Sequence, residues 1–102
     1  MSVHFIIRFR PLQGTEVAFR KELLRVVEAS RAETGCLRIY AFESIREPLE
    51  FAIHSEWKDE ASLEFHATLA EKFLAAVSPL LQHQIEGIRL HPIGGGDGSG
   101  CV

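Results

Sequence analysis

Positive charge is in short supply. Eleven Lys and Arg face fourteen Asp and Glu, for a formal net charge of −3. No segment gathers the basic stripe of a nucleic-acid footprint. Long apolar runs are missing as well; nothing approaches the roughly 18 consecutive apolar residues that cross a bilayer. Cysteine is scarce, with only Cys36 and Cys101, a weak basis for a disulfide and none for a metal framework. The opening Met1-Ser2-Val3-His4 lacks the pattern of a secretory signal, so the expectation is a cytoplasmic protein with reduced thiols. No P-loop and no GxGxxG behind a strand is present, so no nucleotide, flavin or nicotinamide fold is encoded. The histidines show no HxH or HxxxH spacing, and no metal is expected. Cys36 follows a helix end, which disfavours a thiolate nucleophile.

What is present describes one small soluble domain. The chain has 102 residues, 46% of them hydrophobic and 25% charged, enough for a single core. Residues 1–93 read as that domain, and the glycine-rich 94–102 as a flexible tail. So small a chain must run any chemistry with few residues, without a bound cofactor or with help from a second copy.

The pattern alternates between strand and helix. Val3, Phe5, Ile7 and Phe9 share one side of a period-2 segment that Pro11 ends. Gly14-Thr15-Glu16 reads as a turn, an N-cap and an acidic first turn. The helix behind it runs from about Glu16 to Glu33 on a stripe of Phe19, Leu23, Val26, Val27 and Ser30, with Gly35 as its left-handed stop. Cys36–Ser44 and Glu50–Trp57 form a hairpin. A register centred near Glu47 sets Arg38 opposite Glu56, Tyr40 opposite His54, Phe42 opposite Ala52 and Leu37 opposite Trp57. Asp59 caps a second helix with a stripe of Leu63, Ala67, Ala70, Phe73, Leu74 and Val77, broken at Pro79. A helical turn over Leu80–His83 and a strand over Ile85–Pro92 complete the chain. The order βαββαβ is a ferredoxin-like α+β fold with a four-stranded antiparallel sheet. Right-handed crossovers put both helices on one face. The other face mixes Ile6, Tyr40, Phe42 and Ala52 with charges, a composition that fits a protein contact better than bulk water.

His66 falls on the buried stripe of the second helix. Such a histidine is ordinarily a core residue with a satisfied hydrogen bond; kept neutral by burial, it also suits a general base. Trp57 ends the third strand on the helix side, where packing is the ordinary role and lining an aromatic-ligand pocket, with its N–H as polar handle, the functional one.

The segment GCLRIY (Gly35–Tyr40), Glu47-Pro48, Phe51, and E-x-W-x-D with a downstream histidine (Glu56, Trp57, Asp59, His66) resemble the antibiotic biosynthesis monooxygenase family of the dimeric α/β-barrel superfamily. The likeness covers Val3 to Pro92. It implies a homodimer whose two sheets pack face to face, each protomer keeping a pocket between sheet and helices. Some members of that family oxygenate electron-rich phenols or quinols with O2 and no metal or flavin; others degrade haem or isomerise small sugar-like signals. The haem-degrading branch uses an Asn, a Trp and a His, and Ile7, His66 and Ala76 stand at those places here, so haem is not expected. The stretch Ala67–Phe73 lacks the second histidine common in the family, and Ile39 stands where a tyrosine is usual. The resemblance implies a cofactor-independent monooxygenase for a quinol- or anthrone-type substrate. His66 would be base or polar anchor, with Trp57, Ile7, Ile39, Phe73 and Val77 shaping an apolar pocket. A non-enzymatic small-ligand or stress-associated protein and a non-redox isomerase are the alternatives on the same fold.

Overall fold

The computed structural model describes residues 2–82 and 86–95. Strands β1 (Val3–Phe9), β2 (Cys36–Glu43), β3 (Phe51–Trp57) and β4 (Glu86–Leu90) form one sheet in the order β2-β3-β1-β4, and every pairing is antiparallel. Helices α1 (Glu16–Arg31) and α2 (Glu60–Val77) complete the ferredoxin-like βαββαβ arrangement. No described helix is long and apolar enough to cross a membrane.

The helix-facing side of the sheet carries the core. Phe9, Phe51 and Ile53 pack with Phe19, Leu23, Val26 and Val27 of α1 and Val77 of α2. Phe9, Phe19, Phe51 and Phe73 meet as tilted and edge-on rings with centroids 5.2–6.4 Å apart, a favoured aromatic geometry.

The hairpin register is the expected one from Arg38↔Glu56 through Phe42↔Ala52. One pair differs: a bulge inserts a residue between Cys36 and Arg38, so Cys36 takes the place opposite Trp57 and Leu37 is exposed. Helix α1 ends at Arg31 rather than Glu33. Gly35 is therefore not its cap but the last residue of the turn into β2, with φ +91°. A side chain there would also strike Ser62, since a Cβ would lie 2.2 Å from Ser62 Oγ. Only glycine satisfies both constraints.

Thr15 holds the N-cap position of α1, but its hydroxyl donates to the carbonyls of Leu12 and Leu80 instead of capping. Asp59 does cap α2, accepting from the backbone N–H of Ser62 at 2.8 Å. After α2 the expected turn over Leu80–His83 is displaced: a 3₁₀ turn occupies Ser78–Leu80, and Leu81 is extended. Pro79 suits the first turn of a new helical segment because its missing N–H is not needed there. Leu81 is then drawn into a bridge with Pro11, with Leu12 N–H donating to Leu80 O and Gln82 N–H to Arg10 O, both at 2.7 Å. His83, Ile85 and Cys101, and residues 96–102 of the expected tail, lie outside the described residues.

Among the described residues no element covers the opposite sheet face, which is therefore bare of helices. Reading across β2, β3, β1 and β4, the registers place Tyr40, His54, Ile6 and Ile88 in one row and Arg38, Glu56, His4 and Leu90 in the next. Tyr40, Phe42, Ile88 and Leu90 are all exposed.

Candidate active site

A cavity of about 90 Å³ opens between the sheet and the two helices. Phe5, Ile7 and Phe9 of β1, Ile39 of β2 and Ile53 of β3 form its floor, and Val26, Ala70, Phe73 and Leu74 its helical wall. Its polar lining is Ser30, Ser55 and His66. The period-2 alternation of β1 and β3 supplies one side. The i, i+4, i+7, i+8 spacing of His66, Ala70, Phe73 and Leu74 supplies the other.

Both serine protons are committed. Ser30 donates to Val26 O at 2.7 Å, the usual back-bond of a helical serine. Ser55 Oγ accepts from Trp57 Nε1 at 2.9 Å and donates at 3.5 Å to Phe5 O. His66 is different. Its Nδ1 meets Glu33 Oε1 at 2.5 Å, and Nε2 has no hydrogen-bond partner among the described residues. Both side chains of this pair are largely buried, 11% and 16% exposed. Trp57 lies against the imidazole with ring centroids 4.6 Å apart.

Of the residues expected at a pocket, Ile7, Ile39, Phe73 and His66 are brought together on the cavity wall. Trp57 is placed one layer back, fully buried behind His66, and its N–H is spent on Ser55 rather than offered to a ligand. Val77 is fully buried in the core, one helical turn beyond Phe73, and is absent from the lining.

Sequence reasoning missed two features. Glu33 read as the end of a helix, whereas it sits in the turn behind α1 and reaches the histidine of α2. His4 and His54 have no ligand-type spacing in the sequence, whereas they stack on the bare sheet face with His4 Nδ1 2.8 Å from His54 Nε2, and His4 Nε2 lies 3.6 Å from Glu56. Burial, then the neighbouring His4, pushes His54 below the ordinary histidine value, with Glu56 opposing. Cys36 stays a thiol: burial first and the Glu33 carboxylate second raise its pKa, against a smaller pull from Arg31. Among the described residues no cluster of three His, Cys, Asp or Glu side chains could hold a metal ion.

A ferredoxin-like sheet covered by helices on one side, with an apolar cavity lined by one histidine, defines the class: an α+β protein with a candidate pocket between sheet and helices. The chain belongs to the antibiotic biosynthesis monooxygenase family, whose model matches residues 2–79. It is 33% identical over 85 residues to "Putative monooxygenase YcnE" of Bacillus subtilis (strain 168), covering 81% of this chain and 87% of that one. Among solved structures it resembles Rv0793 from Mycobacterium tuberculosis, with a TM-score of 0.85 at 25% identity over 93% of this chain and 98% of that one. PA3566 from Pseudomonas aeruginosa superposes with a TM-score of 0.81 at 26% identity, covering 91% and 95%.

Proposed function

We propose that the chain is a monooxygenase that oxidises an electron-rich aromatic of the quinol type with O2, using His66 as general base. One observation carries this reading: the cavity is apolar, and His66 Nε2 is its one polar side-chain atom without a committed partner among the described residues. An imidazole nitrogen with a free lone pair, set in an apolar pocket, takes the proton of a phenolic O–H. The phenolate passes an electron to O2, and the resulting radicals combine at a ring carbon. The peroxide so formed loses water to give a hydroxyquinone. One oxygen atom enters the ring and the other leaves as water. Hydroxylation and the passage from quinol to quinone each draw one electron pair from the ring, so the substrate itself fully reduces O2.

Volume narrows the substrate. A cavity of roughly 150 Å³ holds benzene, so about 90 Å³ is tight even for a single ring and far too small for a three-ring anthrone without rearrangement. We therefore favour a single-ring quinol over the anthrone. The isomerase alternative needs several polar contacts, and the two serines have already committed their protons.

The reading includes a homodimer through the bare sheet face. Support comes from the exposed Tyr40, Phe42, Ile88 and Leu90 on that face. The Arg38–Glu56 pair, 3.2 Å apart, lies among them.

The test is oxygen uptake by metal-free protein with hydroquinone, a naphthohydroquinone and anthrone, with ¹⁸O2 tracing. Uptake with one labelled atom in the quinone and one in water supports the proposal, with hydroquinone the fastest. Binding of these compounds without oxygen uptake overturns it in favour of a non-enzymatic ligand-binding protein.

A further inference from the structure

We infer that Glu33 is a positioning residue that fixes the tautomer and orientation of His66, leaving Nε2 as a proton acceptor. This inference rests on the proposed role of His66 as base.

An ionised carboxylate only accepts hydrogen bonds, so the Nδ1 it touches carries the proton and the lone pair falls on Nε2. The contact, 2.5 Å, is a close one, and bonds to an ionised acceptor are the shorter and stronger ones. The indole of Trp57 backs the same ring, so imidazole rotation is blocked by packing on one side and held by the carboxylate at Nδ1. When Nε2 takes a proton from substrate, an imidazolium forms in an apolar cavity, where an isolated charge is costly. Glu33 is already beside it, so the new charge is born as an ion pair.

The backbone accounts for this reach. Glu33 lies in the short turn between α1 and β2, where its N–H donates to Ser30 O at 3.0 Å and its carbonyl accepts from Cys36 N–H at 3.2 Å. Two residues on, the bare Gly35 presses against Ser62, leaving no room for a Cβ. Ser62 is one helical turn before His66 on α2. Close approach of the turn to that helix is what brings a carboxylate on one element against an imidazole on the other.

The experiment measures His66 twice in wild type and Glu33→Gln, both checked for folding by thermal melting. The ¹⁵N shifts of the neutral ring at pH 8 report the tautomer, and steady-state oxygen uptake with hydroquinone reports kcat and KM separately. The inference expects the Nδ1–H tautomer in wild type, and a shifted tautomer ratio in Glu33→Gln. It expects kcat to fall about ten-fold or more with KM little changed, the result of a base held in the wrong tautomer. A merely structural pair would leave both the tautomer and kcat unmoved in the folded variant. Wild type in the Nε2–H form, or either readout unchanged on substitution, overturns the inference. A wild type with no oxygen uptake overturns the proposed function instead, and the tautomer measurement then decides the role of Glu33 alone. Should Glu33→Gln fail to fold, Glu33→Asp, which keeps the charge but withdraws it by one methylene, is read by the same two criteria.

Discussion

Trp57 lies against His66 with ring centroids 4.6 Å apart and 36° between the ring planes. The indole is fully buried and donates to Ser55, so it is the wall that holds the imidazole at the cavity. Two consequences can be measured. Trp57 is the single tryptophan, so quinol binding beside His66 changes the intrinsic fluorescence and gives a direct Kd. Trp57→Phe removes the N–H bond and part of the ring, and lowers stability by about 1–3 kcal/mol in denaturant unfolding.

Gly87 pairs with Ile7 on the helix-facing side, and a Cβ placed there would lie 2.6 Å from Cζ of Phe5, a cavity residue. Gly87→Ala forces the ring toward the cavity. We expect a loss of about 1–3 kcal/mol in stability together with weaker quinol binding by fluorescence. Gly94→Ala, where a Cβ meets nothing within 4 Å, is the control and should change neither.

The bare sheet face is the proposed contact between copies. Phe42→Glu or Ile88→Lys puts a charge among its exposed apolar residues. Sedimentation at micromolar concentration should show a dimer for wild type and monomers for these variants. A wild-type monomer contradicts the dimer.

Acid weakens the fold through His54. Burial and His4 hold its pKa below the ordinary histidine value, so near that value the folded chain binds fewer protons than the unfolded one. Stability therefore falls with pH. The loss is absent while His54 is neutral in both states, begins as pH drops through the ordinary value, and is complete below the folded one. Denaturation midpoints between pH 8 and pH 5 should decline, and His54→Gln should flatten part of that slope.

Much of the fold is legible because its signals are local. The alternation of Phe5, Ile7 and Phe9 has the period of a strand, and the Arg38–Glu56 charge pair pins the hairpin register. The bulge at Leu37 is not legible, since one inserted residue leaves the alternation on either side intact. Thr15 has the side chain of a cap, yet a tertiary acceptor, Leu80 O, competes for its hydroxyl. His66 and most of the cavity wall follow from helix and strand periodicity. Glu33 does not, because its partner is 33 positions away and its own segment looks helical. The His4–His54 contact spans 50 positions and depends on which strands are neighbours. That order comes from crossover topology rather than from either residue's surroundings.

The most direct test of the account is the turnover of His66→Ala. Oxygen uptake is compared with wild type on the quinol that wild type oxidises fastest, with fluorescence from Trp57 confirming that the variant still binds it. The account predicts a fall in kcat of roughly 10²-fold or more with binding largely retained, the loss of a general base. Unchanged turnover would contradict it and remove His66 from the chemistry.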